Sequence, residues 1–174
     1  MKLRLLTPIF LILINFQLAA QESETIMIKG TSSLHDWESD VTEFVLTADL
    51  NLDRQQGTVN LVIPVTSIKS GKSIMDDKTY DALKFDKNPE IIFNGNDITL
   101  NGDKISVAGN LTIAGKTNPA TIEGTFKKTA NNLNVTGIYS LKMTDFDIDP
   151  PTAMFGTLTT GDDITIEFNV NITL

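Results

Sequence analysis

The sequence predicts an all-β fold: an eight-stranded antiparallel barrel with a short helix in the loop near residues 76–85. Three observations predict it. Apolar residues alternate with polar ones over five long runs, the period of strands with one apolar and one solvated face. Short turn sequences separate most of the runs. The 174 residues include no cysteine, so a packed core or a closed sheet has to hold the fold without disulfides, and closure also removes exposed strand edges.

The chain opens on a different pattern. Lys2 and Arg4 precede an apolar run from Leu5 to Phe16, and small residues follow at Ala19 and Ala20. This three-part layout is that of a secretory signal peptide, and the run is too short and too interrupted for a membrane-spanning helix. Residues 1–20 are therefore expected to be a signal peptide and 21–174 one domain. Removing Lys2 and Arg4 moves the formal charge from −8 to −10. An acidic exported protein is a poor partner for nucleic acid, whose phosphates need clustered Lys and Arg. It is equally poorly suited to electrostatic docking on anionic membranes. Export into a periplasm is the simplest expectation.

Strands are expected at about 24–30, 40–52, 57–66, 90–99, 104–114, 119–127, 133–143 and 162–173. Phe44, Leu46, Ala48 and Leu50 lie two apart, as do Val59, Leu61 and Ile63. Ile105 to Ile113, Leu133 to Leu141 and Ile164 to Ile172 repeat the pattern. The punctuation suits hairpins: Arg54 to Gly57, Asn101-Gly102, Gly115-Lys116 and Asn131-Asn132. Two connections are long. Ser67 to Pro89 carries the helix, with Asp76 as its expected N-cap and Tyr80 and Leu83 on one face. Thr144 to Gly161 carries Pro150-Pro151 and the apolar pair Met154-Phe155. Long connections in a tight meander tend to form lids or mouths.

Little in the chain points to catalysis. The single histidine, His35, stands between Leu34 and Asp36, followed by the single tryptophan, Trp37. A nucleophilic mechanism needs Ser or Cys with a His base and an orienting carboxylate, and neighbouring residues on a strand point to opposite faces. One histidine and scattered carboxylates give no zinc spacing. Asp145, Asp147 and Asp149 alternate, but the glycine and closing glutamate of a calcium loop are missing. No enzyme activity, cofactor or metal is expected. If the stretch is extended, Leu34 and Asp36 face one side and His35 and Trp37 the other, with Trp37 against the interior and His35 in a local hydrogen bond.

Four stretches together carry a resemblance: Gly30 to Trp37; Lys69 to Asp76 with Tyr80, Leu83 and Asn88 to Phe93; Gly109 to Thr117; and Asp145 to Ile148 with Phe155-Gly156 and Gly161-Asp162. Their order and spacing resemble the YceI-like family of lipocalin-like, polyisoprenoid-binding exported proteins. The resemblance implies an eight-stranded barrel with a helix near its mouth and an apolar interior that holds a long isoprenoid, such as a quinone tail. It implies no catalytic activity.

The alternation agrees with such an interior. Phe44, Leu46, Leu61, Ile63, Phe93, Leu111, Ile113, Ile122, Phe126, Val135, Leu141, Ile166 and Phe168 fall on one uncharged face. Trp37 is expected beside them. Tyr139 and Ser140 are expected to offer hydrogen bonds to a head group. Met75, Tyr80, Leu83, Phe146, Met154 and Phe155 are expected at the mouth. The expected function is an exported binding protein for an isoprenoid or quinone-like lipid, acting as carrier or store and touching membranes only for exchange. The alternatives are an enzyme using His35 and Asp36 and a ligand-free structural or stress-related envelope protein. Oligomeric state is not legible.

Overall fold

The computed structural model describes residues 23–153 and 156–174. The expected signal peptide, Met154 and Phe155 lie outside the described residues. The strands are β1 (Thr25–Ser32), β2 (Trp37–Val41), β3 (Val45–Asn51), β4 (Gln56–Pro64), β5 (Ile68–Lys69), β6 (Glu90–Asn101), β7 (Lys104–Ile113), β8 (Lys116–Lys128), β9 (Asn132–Lys142), β10 (Thr152–Ala153) and β11 (Leu158–Thr173). One helix, α1 (Ser73–Ala82), lies between β5 and β6.

All pairings are antiparallel, and the sheet runs β3-β4-β6-β7-β8-β9-β11-β1-β2-β5, with β10 attached to β11 alone. The path curls back toward itself for a covalent reason. β2 lies next to one end and β3 is the other end, yet only Thr42, Glu43 and Phe44 separate them in the chain. A chain this short spans at most about 14 Å, so the sheet has to curl until the end of β2 and the start of β3 lie close together. The expected lipocalin-like barrel is present as a curled antiparallel sheet, a half-barrel, and among the described residues no ladder of hydrogen bonds joins β3 to β2 or β5. The expected strand at 40–52 is two strands, β2 and β3, meeting at a bend.

Two-residue hairpins fix register at β6–β7 and β7–β8. Asn101 pairs with Lys104 across Gly102 (φ 63°), and Ile113 pairs with Lys116 across Ala114 (φ 50°) and Gly115 (φ 84°). The first turn is Gly102-Asp103, one residue later than expected, with positive φ at Gly102; the second is Ala114-Gly115, one residue earlier than expected, with positive φ at both residues, which matches the twist of the flanking strands. In β8–β9 the ladder is incomplete. It runs from Gly124–Gly137 to Lys128–Leu133 and goes no further. Beyond the fork, Lys116 to Glu123 of β8 bond only to β7, and Ile138 to Lys142 of β9 only to β11.

The helix begins three residues before the expected start. Lys72 occupies the cap position without a side-chain bond, and Asp76 lies inside the first turn. Its carboxylate instead accepts from the Ser70 backbone N–H (2.8 Å) and the Ser70 hydroxyl (2.6 Å). These bonds hold the Asp76 carboxyl below its usual range and fix the loop leading into α1.

The inward side chains form one continuous core spanning all long strands, among them Ile26, Val59, Phe93, Ile105, Leu133 and Ile172. No residue of α1 belongs to it, because none of the helix is fully buried.

Candidate functional site

The motif at Gly30 to Trp37 builds one rim of the barrel. Ser33 to Asp36 form the turn between β1 and β2, so strand alternation does not govern them. Ser32 Oγ donates to the His35 carbonyl (2.7 Å) and accepts from the backbone N–H groups of Leu34 and His35. The Ser33 backbone N–H donates to the Thr159 carbonyl (2.9 Å), and Ser33 Oγ accepts from the Thr159 N–H (3.1 Å). The two serines thus shape the turn and tie it to β11. His35 is exposed, and its Nδ1 donates to the Asp36 carbonyl (2.8 Å), the local bond expected of it. The split of Leu34 and His35 onto opposite sides does not hold, because a turn has no two-sided pleat; both border the same chamber.

Trp37 opens β2, half-buried, facing inward. It sits opposite Gly30 in the ladder, and a Cβ on Gly30 would lie 2.3 Å from Trp37 Cζ2. Only glycine leaves room for the indole there. Trp37 Nε1 donates to the Thr31 carbonyl (3.1 Å), which fixes the ring.

Two apolar chambers occupy the barrel. The upper one has a volume of about 330 Å³ and lies under α1, the β1–β2 turn and the start of β11. The lower one has a volume of about 160 Å³ and is walled by β1, β3, β4, β6, β7, β8, β9 and β11. Ile28, Ile91, Ile113 and Ile166 line both, so the two adjoin at an isoleucine waist.

The expected lining residues divide between them. Trp37, Met75, Leu83 and Leu141 border the upper chamber, and Ile113 and Ile166 border both. Leu46, Leu61, Ile63, Phe93, Leu111, Ile122, Val135, Tyr139 and Phe168 border the lower one. Burial, with the nearby Asp145 carboxylate, pushes the Tyr139 phenol above its ordinary value, so it stays a neutral donor.

Several expectations are corrected. Phe44 sits at the β2–β3 bend and Phe126 near the far end; both pack against the core and border neither chamber. Phe146 is buried in the core at 3% exposure, under the 3₁₀ turn that follows β9, and is no mouth residue. Tyr80 is a tether. Its hydroxyl accepts from Lys69 Nζ (2.6 Å) and lies within bonding distance of the Thr66 and Ile68 carbonyls, pinning α1 to the strand below. That contact raises the Lys69 pKa. Ser140 is exposed, on the outward register of β9, and cannot meet a ligand inside.

Sequence reasoning missed four features of the upper chamber. Leu34 and Ile74 stand at its rim, 67% and 76% exposed. Lys78 on α1 borders it too. Ser39, on β2 between Trp37 and Val41, is 4% exposed and borders it from inside. Among the described residues no cluster of three His, Cys, Asp or Glu side chains could hold a metal. Asp147, one of the alternating aspartates, instead pairs with Lys116 (2.7 Å).

A model of the YceI-like domain matches residues 16–172. The chain belongs to the YceI-like family. The same shell recurs in solved structures. Burkholderia cenocepacia BcnA is 19% identical, with a TM-score of 0.74 over 85% of this chain and 95% of its own. The Campylobacter jejuni YCEI protein is 17% identical, with a TM-score of 0.66 over 78% of this chain and 84% of its own. A polyisoprenoid-binding domain from Saccharophagus degradans, implicated in plant cell wall breakdown, is 11% identical, with a TM-score of 0.65 over 85% of this chain and 92% of its own. At these identities the likeness is one of fold. A comparison with curated proteins gave no match.

Proposed function

We propose that this YceI-like protein is an exported, non-catalytic binding protein that holds a long amphiphilic chain of isoprenoid type, such as a quinone tail, as carrier or store. The observation that carries the reading is the pair of adjoining apolar chambers meeting at Ile28, Ile91, Ile113 and Ile166. A hydrocarbon chain can thread a waist built from four isoleucines, whereas a charged or strongly hydrated ligand would lose its solvation there without return. Each buried CH₂ contributes roughly 0.8 kcal/mol, so one five-carbon unit contributes about 3–4 kcal/mol before ordering costs.

The helix supports the same reading. Ile74, Met75, Ala82 and Leu83 of the α1 segment border the upper chamber, and no residue of the helix is fully buried. A lid with its apolar residues toward a chamber suits an apolar occupant. The fold shared with the Saccharophagus degradans polyisoprenoid-binding domain adds weight to an isoprenoid. The basic start, apolar run and small residues of 1–20 support export, with a periplasmic site and only transient membrane contact during exchange. His35, exposed and bonded to a backbone carbonyl rather than a carboxylate, supports binding over catalysis.

The test is native mass spectrometry on protein purified from its own envelope, followed by solvent extraction. An adduct of isoprenoid or quinone mass is the expected result. A clean protein that also ignores added polyprenyl and quinone lipids would overturn the reading and leave a structural envelope protein.

A further inference from the structure

Two polar side chains are buried among the described residues, Ser39 and Ser67, each 4% exposed. Ser67 Oγ donates to the Pro64 carbonyl at 2.7 Å. Among the described residues Ser39 Oγ has no hydrogen-bond partner. Its position explains why that is tolerated. Ser39 pairs with Ile28, and both face inward onto the upper chamber. Among the described residues no side-chain oxygen or nitrogen is sealed off without a partner, so the Ser39 hydroxyl is open to the chamber.

A serine here works against the local pattern. The inward positions of β2 are Trp37, Ser39 and Val41, and an alanine would fill the same place without placing an unpaired hydroxyl in apolar surroundings. Such a group destabilises the fold unless something else completes it. Trp37, two residues away on the same face and held by Thr31, supplies a flat fixed wall beside it.

We infer that Ser39 is a binding residue for the ligand's polar group, and that this group is an uncharged oxygen drawn inside the upper chamber: an alcohol, ester or ring carbonyl. The inference rests on the proposed binding of an apolar chain and deepens it by naming the head. The titratable side chains that border this chamber are His35 on the rim turn and Lys78 on α1, both exposed. An anion at the depth of Ser39 would face Ile28, Ile68 and Trp37 with one hydroxyl for support, and a single hydrogen bond does not offset the desolvation of a charge.

The experiment compares three probes with one C15 chain on the delipidated protein: farnesol, farnesene and farnesyl diphosphate. Wild type is expected to bind farnesol about three- to tenfold more tightly than farnesene, the range of one net hydrogen bond, and more tightly than the diphosphate. Ser39→Ala is expected to remove the farnesol margin, leave farnesene affinity unchanged or improved, and melt no lower than wild type. Ser39→Thr, which keeps a hydroxyl, is expected to retain the margin. Equal binding of farnesol and farnesene by wild type, or a margin that survives Ser39→Ala, overturns the inference while leaving chain binding intact. Tighter binding of the diphosphate overturns the uncharged head. No binding of any probe overturns the inference and the proposed function together.

Discussion

Trp37 and Gly30 depend closely on one another at the chamber rim. The indole lies where a Cβ on Gly30 would stand, 2.3 Å from Cζ2, and Nε1 is already committed to the Thr31 carbonyl. The ring cannot move aside without breaking that bond or entering the chamber. Gly30→Ala is therefore expected to cost about 1–3 kcal/mol, the usual range for overpacking, and to shift the emission of the only tryptophan in the chain. Denaturant melts and fluorescence spectra read both effects, and a variant with wild-type stability and emission would show that the indole is not held as described. The sequence made Trp37 conspicuous and left Ser39 unnoticed, for one physical reason. A lone aromatic announces itself by type. A serine matters here only because it is buried without a partner, and burial is a property of the fold.

At the scale of elements, the fork between β8 and β9 is the weak line of the shell. Beyond Gly124–Gly137 the two strands part, and roughly every second residue of each then directs its N–H and C=O into the gap instead of a ladder. Pro119 lies in the stretch of β8 that pairs with β7 alone, opposite Asn110, and a proline is tolerated in a strand with one open side. Ile138, on the outward face of the parting strand, is 62% exposed. A groove at the fork, lined by Glu123, Gly124, Gly137 and Phe168, shares Glu123, Gly124 and Phe168 with the lower chamber. Native-state hydrogen exchange should find amides of 118–123 and 138–142 that exchange faster than those of 105–112, which are paired on both sides along most of their length. Uniform protection across β7, β8 and β9 would mean that the ladder continues in solution. The long alternating runs made most strands legible to within a few residues. β2 was legible only at its end, where the strand expected at 40–52 begins, because Trp37-Glu38-Ser39-Asp40-Val41 carries one aliphatic residue in five and shows no clear alternation. Its strand character comes from pairing with β1, a long-range contact.

For the whole molecule, the chambers set the relation between stability and loading. Helix α1 is tied down by Tyr80 on Lys69 and by Asp76 on Ser70, while its apolar residues border the upper chamber without becoming fully buried. A chain occupying both chambers would bury Ile74, Met75 and Leu83 and would bind the folded state alone. Linkage then requires that loading raise stability by RT ln(1 + [L]/Kd), about 2.7 kcal/mol at a hundredfold excess over Kd. For a domain of this size that corresponds to a shift of about 5–10 °C in the melting temperature. Delipidated protein is expected to melt lower than protein carrying its native lipid by about that amount and to recover on adding farnesol in excess. The gain should be largest for α1, so its amides should slow most in hydrogen exchange. Equal melting temperatures for the loaded and delipidated protein would mean that the occupant gains nothing from the folded barrel. A gain without added protection of α1 would place the chain in the lower chamber alone and remove the helix from its role as lid.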